Sequence, residues 1–584
     1  MKRKWTAALA LLLALLLLSG CAAPGSFTPD LLRFFRSPDG APPAPAQTVP
    51  PAEDGDMPPF DEIEYVRPEL LALRLKVAGL RLALANGESL RGVMELLDLC
   101  FEDYYHFRTM SSIAYIRSCQ DVTDAFYAEE YDWCDEQTAL VNQTMEELYY
   151  ICGGSRLADR LEKHYFWEGF AEEYADDSEA VYDEELVGLL RRESALLARY
   201  RSLAAEAASD SALGETNWIG GAYQAALDRQ YERYNGQFAE IYIELVKVRR
   251  AMAEKLGYGS YEEMAYDYSY DRDFDPAQAA AYVAEIKRCI VPIYRELVTD
   301  TLSDVDYPYL STDRLYAALE YGTKQMGGSV EEAFRYMSDY GLCDIRVSAD
   351  KAAISFQTYL DDYEVPFLFL DAAGDLKDVL DFSHEFGHYL DAFVNYNAGE
   401  TLDVSETFSQ AMEYLMLGYL DGALDERERE ELYRIKMLDT LELYVQQASF
   451  DEFERTVYAA DPEKLDADYL NELSLRMAEE YGYYDGVSRT YYAMSWSDIS
   501  HFFDSPFYII TYPVSNDIAM QIYELERQSP GTGLEKYLEI LPREYSGFLD
   551  TVTAGGLESP FAPGRIERVA EDLYERLAAP AAAA

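Results

Sequence analysis

Two histidines four residues apart, with a glutamate directly after the first, stand in the run His384-Glu385-Phe386-Gly387-His388. On a helix, positions i and i+4 project from one face, so both imidazoles can ligate one metal ion, and nitrogen ligands of this kind suit zinc. Glu385 lies next to the first ligand, placed to take a proton from metal-activated water. The chain has only five histidines among 584 residues, and chance supplies this pattern about 0.008 times even with all 107 acids counted in place of Glu. Gly387 adds weight: a mid-helix Gly costs about 1 kcal/mol relative to Ala, which points to close approach of another element or a ligand.

A catalytic zinc site needs a third protein ligand and one open position. Glu406 lies eighteen residues past His388, in Asp403-Val-Ser-Glu406-Thr-Phe-Ser-Gln410-Ala-Met-Glu413. At helical spacing Glu406, Gln410 and Glu413 share one face, while Phe408, Met412 and Leu415 fall on another. The loop Asn395 to Thr401 allows an antiparallel return, which makes Glu406 the favoured ligand. Gln410 or Glu413 would support the ligands through hydrogen bonds.

These residues need helices to hold them. Asp375 is placed to cap the helix that carries His384. Before it, Val365 to Leu370 reads as a β-strand, followed by a break at Gly374-Asp375. Elsewhere apolar residues recur at three- and four-residue spacing, as in Leu70 to Leu97, Glu146 to Ile151, Leu186 to Ala207 and Gly236 to Leu256. The fold class is mainly α, with a small sheet beside the His384 helix. The 50 tyrosines suit helix-helix and helix-water boundaries.

The formal net charge of -58, from 49 Lys+Arg against 107 Asp+Glu, argues against nucleic acid as a partner. No long apolar span follows the first twenty residues, which excludes a polytopic membrane protein. Those first residues read as an export signal: Lys2, Arg3 and Lys4, an apolar run from Ala7 to Leu18, then Leu18-Ser19-Gly20-Cys21. The last four resemble a bacterial lipobox, which implies cleavage before Cys21, lipid on that residue, and anchoring at the outer face of the cytoplasmic membrane. Processing removes three basic residues and leaves a net charge of -61. Residues 21–59, rich in Pro, read as a tether. The body divides into an expected wall or lid over 60–215 and a catalytic part over 216–584. Six further cysteines (Cys100, Cys119, Cys134, Cys152, Cys289, Cys343) form no CxxC pair, and their redox state stays open.

The run from Pro366-Phe-Leu-Phe-Leu through His384-Glu-Phe-Gly-His388 to Ser405-Glu406-Thr-Phe-Ser-Gln-Ala-Met-Glu413 resembles the M3 metallopeptidases, and is most similar to their oligoendopeptidase F branch. The segment His501-Phe-Phe-Asp-Ser-Pro506-Phe507-Tyr508-Ile-Ile-Thr-Tyr512 is similar to a C-terminal motif of that branch. The resemblance implies a helical body split by a deep channel with one zinc ion at its base, cutting short unstructured peptides; a monomer is expected. It gives His501, Tyr508 and Tyr512 the role of donors to the oxyanion of the reaction. Pro513 departs from the family pattern and is expected to kink the helix there and shift Tyr512. His106 and His164 lack ligand spacing and read as structural or surface residues. Two rival functions remain at this stage. One is a carboxypeptidase of related helical zinc fold; the other is a lipoprotein that only binds peptides.

Overall fold

The computed structural model describes residues 57–578 apart from 168, 176–183, 209–220, 302–306, 397–400, 485, 487 and 543–546. The export signal, Cys21, nearly all of the tether and the expected 215/216 division lie outside the described residues. We label the helices of nine residues or more in chain order.

The first three labelled helices, α1 (Leu70–Ala85), α2 (Leu90–Gln120) and α3 (Ala125–Gly153), pack together. The apolar pattern from Leu70 to Leu97 is one run in sequence but two helices in space. Asn86 ends α1, Gly87 turns the chain at φ +82°, and the Ser89 hydroxyl accepts from Gly92 N to cap α2. Leu73, Val77 and Leu80 of α1, Leu97 and Phe107 of α2, and Met145 and Leu148 of α3 form a core of their own. Farther along α2, Met110, Ile113 and Ile116 belong to the main core instead. One 31-residue helix therefore bridges two cores.

The main body follows as α4 (Glu184–Ala208), α5 (Gly221–Lys255), α6 (Pro276–Thr301), α7 (Thr312–Met326) and α8 (Gly328–Asp339). A three-stranded sheet comes next, with β1 (Cys343–Asp344), β2 (Phe356–Leu360) and β3 (Val365–Phe369) in the order β1-β3-β2. β3 is buried throughout, paired antiparallel to β2 and parallel to β1. Pro366 is tolerated in this central strand because β1 is two residues long and pairs only at Leu368 and Phe369.

Behind the sheet run α9 (Asp378–Asn395), α10 (Leu402–Met416), α11 (Glu426–Ala459), α12 (Ala467–Tyr481), α13 (Thr511–Gln528), α14 (Thr532–Ile540) and α15 (Arg565–Ala578). The start of α9 corrects one expectation. The helix begins at Asp378, not after an Asp375 cap. The Asp378 carboxylate accepts from Ala373 N, Gly374 N and Asp375 N, while Asp375 accepts from Lys377 N. Asp375 thus shapes the turn, and Asp378 folds the strand exit back onto the helix. Among the described residues all six cysteines are unpaired thiols.

Candidate active site

Helices α9 and α10 cross at Gly387. A Cβ built there would stand 2.5 Å from Ser409 Cα and 2.7 Å from Phe408 O, so only glycine permits this approach. The contact brings Glu406 of α10 opposite His384 and His388 of α9. His384 Nε2 lies 3.5 Å from Glu406 Oε2, and His388 Nε2 lies 3.8 Å from Glu406 Oε1. One ligand atom from each residue falls within 4.8 Å of the others.

Each ring is turned by a partner on its far nitrogen. His384 Nδ1 is 2.8 Å from Glu413 Oε1, and His388 Nδ1 is 3.0 Å from Ser405 Oγ. An Nδ1–H donated outward leaves both Nε2 lone pairs facing Glu406. Lys436 Nζ donates to the other oxygen of Glu413 at 2.7 Å, and Ser409 Oγ donates to Glu406 Oε2 at 3.0 Å. Of the two supporting residues expected on α10, Glu413 meets the candidate ligand His384. Gln410 does not: its Nε2 donates to Tyr512 O at 3.2 Å.

Burial sets the protonation of the site. It pushes the His388 imidazole down to about 3, with the neighbouring His384 adding to the effect. A neutral imidazole is the ligating form. The Glu385 carboxyl is pushed up to about 8 by burial, opposed by His384 and reinforced by Glu406. Two buried atoms here, His388 Nε2 and Glu385 Oε2, have no hydrogen-bond partner. Two imidazole nitrogens and a carboxylate oxygen, converging with an orphaned lone pair among them, form a donor set that fits a divalent zinc-type ion.

His501, Tyr508 and Tyr512 gather beside Glu406. Tyr508 Oη donates to Glu406 Oε1 at 2.7 Å, and Tyr512 Oη lies 3.1 Å from His501 Nε2. The three ring centroids are 5.2 to 5.8 Å apart. Burial pushes His501 down to about 4, with Glu406 opposing, so the ring is neutral near pH 7. The expected kink at Pro513 is absent. Pro513 falls in the first turn of α13, where the helix has no use for its missing N–H. The helix runs on to Gln528, and Tyr512 stays beside His501.

Side chains far away in sequence hold this segment. Phe507, directly before Tyr508, has φ +65°, a strained conformation for an aromatic residue. Glu454 Oε2 accepts from Phe507 N at 2.8 Å, and Arg272 Nη1 donates to Phe507 O at 2.9 Å. Arg272 also donates to Thr511 Oγ1 and to Asp403, while Tyr270 Oη donates to Pro506 O. Arg249, buried, donates to Phe502 O and Phe503 O. Sequence reasoning missed Ser405, Lys436, Arg272, Asp403 and Glu454. Ser405 alone had a local signal, a hydroxyl one residue before a proposed ligand. Of the histidines left aside, His106 pairs with Asp362 at 2.8 Å and His164 is exposed at the end of a short helix.

Two family models match the chain: the Peptidase M3 N-terminal domain over residues 60–172 and Peptidase family M3 over 332–546, together more than half of it. No curated protein sequence matches. Among solved structures, PZ peptidase A with an inhibitor superposes with a TM-score of 0.76 at 22% identity, covering 89% of this chain and 99% of that one. A Bacillus anthracis protein described as a candidate oligoendopeptidase F gives 0.72 at 23%, over 90% and 99%. An Enterococcus faecium oligoendopeptidase F gives 0.55 at 16%, over 89% and 98%. At these identities the shared property is the mainly α fold.

Proposed function

The chain is a peptidase of family M3, and from that premise we propose that it is a zinc-dependent endopeptidase of short, unstructured oligopeptides. We further propose that it is exported and held by lipid on Cys21 at the outer face of the bacterial cytoplasmic membrane, acting as a monomer. One observation carries the chemistry: His384, His388 and Glu406 converge beside Glu385, whose Oε2 is buried with no partner.

His384, His388 and Glu406 would hold a zinc ion, which would supply a Lewis acid for the scissile carbonyl and an activated water of pKa about 7. Glu385 takes the water's proton on its carboxylate and passes it to the leaving amine. Burial raises the Glu385 carboxyl, and a divalent cation held beside it would favour the carboxylate, the form that accepts the proton. Tyr508, Tyr512 and His501 offer donors to the oxyanion that develops on the carbonyl. Glu413 and Ser405 keep the imidazoles in the ligating tautomer. The -58 charge of the full chain supports solubility of a body tethered at a surface.

A mixed library of peptides with both ends blocked, digested with and without chelator and read by mass spectrometry, tests this reading. The expected result is internal cleavage that chelator abolishes and added zinc restores. Removal of C-terminal residues from free-ended peptides alone would make the enzyme a carboxypeptidase, and binding with no products would leave only a peptide-binding lipoprotein. Membrane fractionation of the wild type against Cys21→Ala tests the anchor. Equal release of both into the soluble fraction would remove it.

A further inference from the structure

Helix α1 has two apolar stripes, and only one is used by the fold. Leu73, Val77, Leu80 and Leu84 are buried in the N-terminal core. On the opposite side Leu71, Leu75, Ala78, Leu82 and Ala85 follow at i, i+4, i+7, i+11 and i+14, the spacing of one helical face. That face is open: Leu71 is 67% exposed, Leu75 63% and Leu82 64%. Three large, aligned, exposed leucines on one helix are not scattered surface apolar residues of the ordinary kind.

The charges on α1 are equally unusual for this chain. At the overall density of 107 acids in 584 residues, a 16-residue helix would carry about three. α1 carries none, and has Arg74, Lys76 and Arg81 instead. By helical position Arg74 and Arg81 stand together on one flank of the leucine stripe. Lys76 lies nearer the buried side, paired with Asp103 at 2.8 Å, and Arg81 meets Glu147 at 2.6 Å. Leucines facing outward with arginines along the edge match an interfacial helix, whose apolar side enters the acyl boundary while long basic side chains reach the headgroups. Among the described residues no helix is long and apolar enough to cross a membrane, so α1 can lie on a bilayer but not span it. It is also the first long helix after the N-terminal residues that read as a lipid-bearing tether.

We propose that α1 lies flat on a bilayer surface bearing anionic headgroups, with Leu71, Leu75 and Leu82 in the acyl boundary and Arg74 and Arg81 among the headgroups. The lipid anchor then brings the chain to the membrane, and α1 fixes which side of the N-terminal helices faces it. This inference rests on the membrane setting of the proposed function, and its test separates the two.

The test uses the full chain, wild type and Leu71→Gln/Leu75→Gln/Leu82→Gln. Each is mixed with vesicles of phosphatidylcholine alone or with phosphatidylglycerol. Co-flotation reports the anchor, and hydrogen exchange over residues 71–85 reports α1. The substitutions are at exposed positions, and matching melting curves check that the fold survives. The expected result is at least about tenfold slower exchange at 71–85 on the phosphatidylglycerol vesicles, lost in the triple variant while both chains still float. Unchanged exchange in the floated wild type overturns the proposal. Protection without vesicles that grows with protein concentration also overturns it, because a second copy then covers the face. Equal protection on phosphatidylcholine alone overturns the role given to Arg74 and Arg81. If neither chain floats, the anchor reading has failed; exchange at saturating vesicle concentration still decides α1, and no change there overturns it.

Discussion

Arg272 and Asp403 form an ion pair with both side chains fully buried, Nε to Oδ2 at 3.2 Å. Asp403 lies one turn before Glu406 on α10, and the same guanidinium grips Phe507 O and Thr511 Oγ1. One side chain thus couples the helix of the third proposed ligand to the segment of Tyr508 and Tyr512. A buried pair is costly to desolvate, and removing one partner leaves a stranded charge worth about 3–5 kcal/mol of destabilisation. We expect Arg272→Met to lower the melting temperature and, in the fraction that stays folded, to cut kcat by about 10²-fold with zinc still bound, since a displacement of about 1 Å is enough for that. Adding Asp403→Leu should restore stability but not kcat. Recovery of both would mean that Arg272 serves the fold alone.

Glu385→Gln keeps the shape of the side chain and removes the base. The expected outcome is full zinc content by metal analysis, an unchanged melting curve, and a loss of about 10²–10⁴ in kcat. Turnover at the wild-type rate would exclude Glu385 as the proton acceptor.

In the proposed site Glu413 and Ser405 would act on the metal through the two imidazoles they hydrogen-bond. Glu413→Gln should weaken zinc binding about 10–100-fold in a chelator competition. Tyr508→Phe should instead lower kcat by about 10²–10³, the usual effect of a lost oxyanion donor, with KM nearly unchanged. A variant pair that shows these two signatures reversed would exchange the assigned roles.

Acid should unlock the sheet edge at Asp344. Burial alone would raise its carboxyl, but the hydrogen bond from Arg346 and the charge of Lys351 outweigh it and hold the group at about 2. A lowered folded value gives stability that is complete above the ordinary carboxylate value and lost as pH falls toward 2. Lys351 is itself buried and donates to Asp344 Oδ1 and Leu370 O. Denaturant midpoints measured from pH 7 to 2 should therefore fall more steeply below pH 4 in the wild type than in Asp344→Asn. The variant should already be weaker at pH 7.

The acidic body should disfavour acidic substrates. With a formal charge of -58, Lys-rich peptides should be cut faster than Glu-rich ones at low salt, and the gap should narrow as the Debye length shortens from about 30 Å at 0.01 M to 8 Å at 0.15 M. Equal rates at low salt would limit the charge to a role in solubility.

What could be read from sequence was what has a short period. The His384/Glu385/His388 face, the strand at 365–369 and most long helices follow from spacings of two to four residues. Glu406 followed from helical phase, and the structure places it facing both imidazoles. Where a reading went astray, a competing local interaction decided. Asn86-Gly87 broke a pattern that ran through it, and Asp378 took the backbone N–H groups expected to be served by Asp375. Pro513 did not kink a helix that had only just begun. Gln410 and Glu413 were equivalent by phase, and only Lys436, 23 residues further on, explains why Glu413 turns to His384. Arg272 and Glu454 had no local signature at all, because their partners at Phe507 lie 235 and 53 residues away.

Helix α2 joins the two cores as a beam. Past its middle it is pinned near the β2–β3 corner, where Thr109 Oγ1 accepts from Asp362 N, His106 meets Asp362, and Ser112 meets Thr358. From Thr109 back to Leu90 the free arm is about 28 Å at 1.5 Å per residue. A tilt of about ten degrees at that pivot carries the far end, with the core built on α1 and α3, through about 5 Å. The pivot sits on the β2–β3 pair, which packs against α9, so a tilt of α2 would be felt at the helix that carries His384 and His388.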